Sequence, residues 1–526
     1  MFAASSTTRK KVTGRSGSKY YTSSVITIPT GVVEISNMNI LSDYLAGAVF
    51  STNLSDSYDG LSFYNVNIDL MGKGQRGVIF SGIKKCKIFN NKIFNFGSAQ
   101  SESYGIRIGT SSTTVINEYC DVYGNIVTMP TDPTGGLGSF GWAGIYMLAP
   151  NNLLSDGSVD WTNQYNTIRY IDVYGNNVTG GTHNIQAMGL FNVNIQNNTL
   201  DGGSHRNINL GFGSQRVLIS GNKLLGASSS AVIFGGARFV KISGNYIQSS
   251  STAAIQTDDA AIQFAQGCYS IDVSGNDVYG SWDYGVNLFN SNDVRISSNY
   301  FESAMAGVAI QSSQTSSVPA TAIYTRTRSV TELVSSSTSR ISLSGNTYKS
   351  GSSGCCIYIA AINSVAISDV SISGETFTGA SGMQHAIYVY QGANAQISRV
   401  SLSGVSAPMI SSGKYYSAYG RSPFRRIDNV DGLEDDFSEV SIAAASNVSA
   451  FYGPNIAISS SGTINNFTDG IDGQQINVRL TSGVVIVNNS SLIRLNGSAN
   501  YTATSSSEII SLTKRAGIWF ELSRSS

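Results

Sequence analysis

Proline is scarce in this chain: 8 of 526 residues, about a third of its ~5% usual share. Charge is scarce too, at 13% where an average soluble domain carries ~25%. The shortage of proline excludes a linker-rich chain, and 41% apolar content excludes a disordered one. Lys plus Arg and Asp plus Glu both total 33, so there is no basic surplus for a nucleic-acid partner held by counterion release. No apolar run approaches the ~18 residues of a spanning helix, so no membrane insertion is expected. The N-terminal MFAASSTTRKK lacks the apolar stretch of a signal peptide. The chain is expected to stay where it is made, to leave by cell lysis, or to begin downstream of something removed. Five cysteines, an odd number without zinc-binding spacing, point to neither a disulfide framework nor a metal cluster, and no HExxH is present. Gly136–Gly141 fits GxGxxG, but no strand–helix context follows it, so no dinucleotide and no other cofactor is expected.

Asparagine, serine, glycine (55 residues) and β-branched residues stand where a helical protein would carry Leu, Glu and Lys. One phrase recurs: apolar, variable, apolar, variable, Gly or Asn, then Asn, variable, apolar. It reads CKIFNNKI around Asn91, CDVYGNIV around Asn125, IDVYGNNV around Asn176 and VNIQNNTL around Asn198. It continues around Asn222, Asn245, Asn276, Asn299 and Asn346, then decays to copies with Glu375 and Val405 at the asparagine position. The steps 176→198, 198→222, 222→245 and 276→299 are 22, 24, 23 and 23 residues.

Alternation of period 2 makes each copy a strand with one buried face, and a second strand follows, as at Ile208/Leu210 and Val286/Leu288. Short strands with tight turns in ~23 residues fill one coil of a parallel β-solenoid, whose stacked coils share a core. A β-propeller would need ~40 residues per blade and antiparallel hairpins. Asparagine at one turn position suits left-handed backbone and an amide ladder along the stack. Cys86 and Cys120 share an inward position, where buried free thiols are expected, although backbones so close also admit a disulfide.

This repeat resembles the right-handed parallel β-helix of the pectin-lyase-like superfamily, which implies an all-β solenoid of ~12 or more coils over residues 25–410. Residues 463–526, with a GQQ turn and the ending Trp519–Arg524, resemble the small C-terminal β-domain of phage tailspike and tail-fibre proteins, so residues 441–526 are read as such a domain, β-sandwich-like and serving trimerisation or glycan binding. Residues 411–440, basic and aromatic and then acidic, read as a linker, and residues 1–24 as a basic arm for a virion component or a solvated tail. The plan resembles a homotrimeric tailspike of the virion tail. It implies recognition of a bacterial capsular polysaccharide or lipopolysaccharide O-antigen, a tail or adaptor protein bound through the N-terminus, and action outside the cell.

Length in excess of the period marks where loops leave: 245→276 is 31 residues, 125→176 is 51 and 299→346 is 47. Coils aligned on their asparagines bring Asp258, Asp259, Trp282, Asp283, Tyr284, Glu302, His183, His205 and Arg206 to one corner. The next strand carries Arg107, Tyr146, Gln186, Asn209, Ile233, Gln263 and Asn287 outward, with Trp142 nearby. Amides, acids and aromatic faces suit a sugar chain, and a solvated sheet face would look the same. Hydrolysis of a glycoside needs two carboxylates, and adjacent or alternate coils supply ~5 or ~10 Å. Asp259 with Asp283, or Asp258 with Glu302, therefore form candidate acid–base pairs, with inversion favoured.

Thr257–Ile262 resembles the Asp-Asp-x-Ala-Ile motif of polygalacturonase-type hydrolases, which implies that Asp258 and Asp259 hold the water and protonate the leaving oxygen. The family's upstream Asn-Thr-Asp is replaced by Gly235-Gly236-Ala237-Arg238, its Gly-His-Gly finds no histidine near Gly280–Asp283, and its Arg-Ile-Lys is not evident. Two alternatives stay open: a receptor-binding spike that does not cut, and a lyase with His205 and Arg206 at the scissile sugar.

Overall fold

The structure, a computed structural model, describes residues 10–525 except 16, 46, 54–55, 98–102, 111, 131–141, 151–165, 212, 250–259, 266, 304–305, 314–337, 351–354, 363–365, 379–384, 392–395, 407–415, 418–423, 432–439, 451–454 and 469–474. The repeat folds as its alternation requires. Ile168–Tyr174, Asn177–Thr179 and His183–Met188 make one coil, and Leu190–Gln196, Thr199–Asp201 and Arg206–Leu210 make the next. The two coils stack in parallel, with Ile171 on Val193, Val178 on Leu200 and Ile185 on Ile208. These six side chains are buried in one continuous apolar core that runs from Ile28 to Val405.

The third strands of successive coils form a 14-stranded sheet, here called the front sheet. First and second strands join in a 28-stranded assembly that bends at the asparagine turn; its first strands are called the back sheet. The turn is held by side chains. Nδ2 of Asn176 donates to Oδ1 of Asn198, Asn198 to Asn222, and Asn222 to Asn245, each at 2.9 Å. The ladder runs from Asn91 to Asn346 and ends on Glu375, whose carboxylate accepts the backbone N–H of Asn346 at 3.1 Å and its amide at 3.3 Å. The left-handed residue is not the ladder asparagine but the one before it: Asn90, Gly124, Gly175 and Asn197 have φ of 53°, 62°, 61° and 52°. That placement frees the asparagine to point inward, where it is buried.

Both edges of the solenoid lie beyond the expected boundaries. Lys10–Thr13 and Lys19–Thr22 pair in parallel with Val32–Ser42, so the basic stretch expected as an arm forms the first rung. At the other end Phe424–Asp431 pairs with Gln396–Ser406, and Tyr416–Ser417 pairs with His385–Gln391. Coiling thus continues to Asp431, through much of the stretch expected to be a linker. Lys87 stands beside Asp121, which sets Cys86 level with Cys120; both are buried and free.

The C-terminal region has its own core around Trp519, whose indole N–H donates to the Phe467 carbonyl at 2.7 Å. Val440–Ile442, Asn455–Ile458 and Gln475–Leu480 pair in parallel, and Glu508–Arg515 and Ile518–Arg524 then add antiparallel strands. Smaller sheets such as Gly462–Ile464 with Val484–Ile486 lie across this core, which gives the sandwich-like arrangement.

Candidate functional site

The coils vary in length only beside the front sheet. From first to second strand the chain passes from Tyr123 to Ile126, Tyr174 to Asn177, Gln196 to Thr199 and Ser274 to Asp277. That turn never lengthens, because the asparagine ladder fixes it. Residues 131–141 and 250–259 lie between a second strand and a front strand, and 151–165 and 314–337 between a front strand and the next first strand. Excess chain on a rigid scaffold is where recognition and chemistry concentrate, and here its attachment points flank one sheet.

On that sheet the outward residues line up as aligned from sequence. Arg107, Tyr146, Gln186, Asn209, Ile233, Gln263 and Asn287 are successive register partners. The row continues through Ala309 to Tyr358 and Tyr388, beyond the part recognised from sequence. It is not a solvated face: Tyr146, Gln186, Asn209, Gln263 and Asn287 are all buried. Gln311 donates to Asn287 Oδ1 at 3.0 Å, and Ser230 donates to Gln263 Oε1 at 3.3 Å. Neither amide atom of Gln186 has a hydrogen-bond partner among the described residues, and nor does Nδ2 of Asn287. Buried amides so placed are costly unless something else meets them.

Cations and rings share the face. The Arg107 guanidinium lies 5.6 Å from the Tyr104 ring and 5.7 Å from that of Tyr146, and Arg76 lies 5.9 Å from Tyr104. Tyr104 and Arg76 were not singled out from sequence; their register with Ala143 and Ala48, three places before the amide row, is the signal that finds them. Tyr284 lies parallel to Tyr358 with centroids 6.3 Å apart. His183 and Arg206 are register partners, and the ring of His205 is 5.8 Å from that of His183. Burial, with the Arg206 charge second, holds both imidazoles well below their ordinary range and so neutral. The Asn209 amide lies 3.5 Å from His183 Nε2.

The acids are distributed differently. Asp283 directly precedes the front strand Tyr284–Phe289 and is half-buried. Asp258 and Asp259 lie outside the described residues, although Ala260, which follows them, is the register partner of Tyr284. Glu302 sits on the second strand Tyr300–Ser303, outside the front sheet, where it accepts the Tyr300 hydroxyl and pairs with Lys349, both at 3.3 Å. The two tryptophans expected to stack on sugar are core residues. Trp282 is fully buried with its N–H on the Tyr279 carbonyl at 3.1 Å, and Trp142 belongs to the same apolar cluster. Among the described residues no group of three His, Cys, Asp or Glu is arranged to hold a metal ion, and no helix is long and apolar enough to cross a membrane.

A family model of the right-handed β-helix region matches residues 185–324. No curated protein matches the chain in sequence. Among solved structures, a mutant tailspike protein of E. coli bacteriophage HK620 in complex with a pentasaccharide is 12% identical, with a TM-score of 0.50 over 96% of this chain and 77% of that one. Tailspike protein 3 of bacteriophage CBA120 is 12% identical, with a TM-score of 0.43 over 98% of this chain and 64% of that one. The A-module of an Azotobacter vinelandii mannuronan C-5 epimerase is 11% identical, with a TM-score of 0.34 over 80% of this chain and 90% of its own. The fold is a right-handed parallel β-helix. At these identities the likeness carries architecture, and the chemistry has to be argued from the face itself.

Proposed function

We propose that the chain is a phage tailspike that binds a bacterial surface polysaccharide, capsule or O-antigen, along the front sheet and hydrolyses it. The observation that carries this reading is the coincidence of two independent features on one sheet. All the long connections attach beside it, and its outward row holds buried amides, of which Gln186 and Asn287 keep amide atoms without a hydrogen-bond partner among the described residues, in line with tyrosines and an arginine. Rungs repeat every ~4.8 Å, so successive amides meet successive parts of an extended chain of sugars. The likeness to a tailspike whose structure holds a pentasaccharide supports the same ligand class.

Asp283 supplies one carboxylate and Asp258 or Asp259 the other. Asp259 and Asp283 each stand one residue before a pair of register partners. Neighbouring rungs favour the ~5–5.5 Å separation of a retaining pair over the wider one of an inverting pair. Glu302, held by Lys349, is the weaker candidate. His205 and Arg206 act as part of the binding face. Three chains associate as a homotrimer, with a virion tail or adaptor protein bound through the N-terminal region.

The test is reducing-end release from host polysaccharide by wild type, Asp259→Asn, Asp283→Asn and Glu302→Gln. Loss of about 100-fold or more in the first two variants and a small effect in the third is expected. Full activity in both aspartate variants would remove the assignment. Tight binding with no shortening would leave a receptor-binding spike, and an unsaturated product absorbing in the ultraviolet would mean a lyase.

A further inference from the structure

Two adjacent coils repeat one phrase on the back sheet, Tyr119-Cys120-Asp121-Val122-Tyr123 and Tyr170-Ile171-Asp172-Val173-Tyr174. In register, Asp121 stands beside Asp172 and Tyr123 beside Tyr174. Tyr119 and Tyr170 stack at 4.8 Å between centroids, and Tyr123 and Tyr174 at 4.9 Å, each pair within 4° of parallel. Two walls of stacked tyrosine thus flank a floor of two carboxylates. The next rung replaces all three positions by amides: Asn194 pairs with Asp172, Gln196 with Tyr174, and Asn192 stands at the wall. Asn194 donates to Asp172 Oδ1 at 2.6 Å.

Tyr119, Tyr170, the two aspartates, Asn192, Asn194 and Arg216 line an open groove of about 440 Å³, and the Tyr123–Tyr174 stack stands on the same rungs beside it. That volume lies within the ~300–1,000 Å³ of small-molecule sites. Tyr119 is 54% exposed and Tyr170 38%, so the walls face solvent. The carboxylate of Asp121 has no hydrogen-bond or ion-pair partner among the described residues. Burial first, and the charge of Asp172 second, hold its carboxyl above the ordinary range.

Carboxylates accept hydrogen bonds from neighbouring hydroxyls, amides both donate and accept, and tyrosine edges meet hydroxyl and C–H surfaces. An anionic sugar is repelled by the floor. A simple ammonium would satisfy the carboxylates and leave the amide rung without a role. We propose that the rungs Tyr119–Tyr123, Tyr170–Tyr174 and Asn192–Gln196 form a second carbohydrate-binding groove, on a different face from the front sheet, that takes an uncharged segment of two or three sugar units. Such a groove would hold the chain near a long polymer between encounters at the front sheet, raising the local concentration of substrate.

The test is saturation-transfer NMR of the full chain with neutral cellotriose, maltotriose and mannotriose, with trigalacturonate, and with deacetylated chitotriose. At least one neutral trisaccharide is expected to bind. The Tyr119→Ala/Tyr170→Ala double variant, and separately Asp172→Asn, should weaken it ten-fold or more, while Tyr246→Ala on distant rungs leaves it unchanged. Exposure of the two tyrosines means their removal leaves the core intact. No binding of any neutral probe, binding of the acidic or amine probe alone, or neutral binding indifferent to the groove changes would each overturn the proposal. Failure of the front-sheet reading would show separately, as absent reducing-end release by wild type, and would not alter this titration.

Discussion

Glu375 ends a ladder that asparagines build, and its position makes it the most consequential single acid in the solenoid core. It is fully buried, accepts both donors of Asn346, and burial raises its carboxyl from 4.5 to about 7. Between those values the unfolded chain has released a proton that the folded chain still holds. Folding therefore gains stability at low pH, and that gain is lost as pH rises through the same window, by ~3 kcal/mol in all. The Tyr348 ring beside it is equally buried and its hydroxyl is held well above its ordinary range, so it does not titrate there. Chemical denaturation of wild type is expected to show falling stability from pH 5 to pH 8. Glu375→Gln, which keeps an acceptor for Asn346, should flatten that part of the profile; an unchanged slope would assign the dependence to another group.

At the same scale the sequence was readable where spacing repeated and misleading where chemistry was read from residue type alone. The ladder was visible as nine asparagines at one offset, and the copy bearing Glu375 stood out against them. Left-handed backbone was assigned to the wrong member of each Gly-Asn or Asn-Asn pair, because both residues tolerate it and only the inward pull of the ladder decides. Trp142 and Trp282 were taken for exposed platforms because they stand beside long connections. Counted back from the outward Tyr146, alternation puts Trp142 outside; it falls inside because Gly144 and Ile145 both face the core and shift the phase, which leaves Ala143 outward.

Among elements, the asparagine turn is the fixed joint of the coil. Each ladder side chain accepts two hydrogen bonds from the rung before: Asn222 Oδ1 takes the backbone N–H and the amide of Asn198, both at 2.9 Å. Asn222→Ala would leave both donors buried without an acceptor, at a cost of roughly 1–3 kcal/mol each. Unfolding in denaturant should show a loss of about 3 kcal/mol or more; a loss below ~1 kcal/mol would mean that the stacked strands, not the ladder, hold the turn. The outer boundaries were hard to read for a related reason. Lys10–Thr13, Lys19–Thr22 and Phe424–Asp431 carry no ladder asparagine, and their composition suggested tail and linker, yet backbone pairing to a neighbouring rung is enough to place them in the stack.

For the whole molecule, low charge and abundant asparagine now have one cause. A solenoid needs turns that stack and faces that stay polar without ion pairs, and amides meet both needs. The register of the front-sheet row was legible because aligning coils by one turn aligns every other position in them. The burial of that row was not, since alternation marks a position as outward without telling how far it is covered. If three chains assemble as proposed, light scattering of the purified protein should return about three times the 55.7 kDa of one chain; a monomer at working concentration would contradict it.

The most direct measurement is a crystal structure of Asp283→Asn with an oligosaccharide of the host polysaccharide bound. Sugar rings lying over the front sheet, with hydrogen bonds to Gln186, Gln263 or Asn287 and the scissile bond beside position 283, are the expected result. An oligosaccharide bound elsewhere with the front sheet empty would contradict the account.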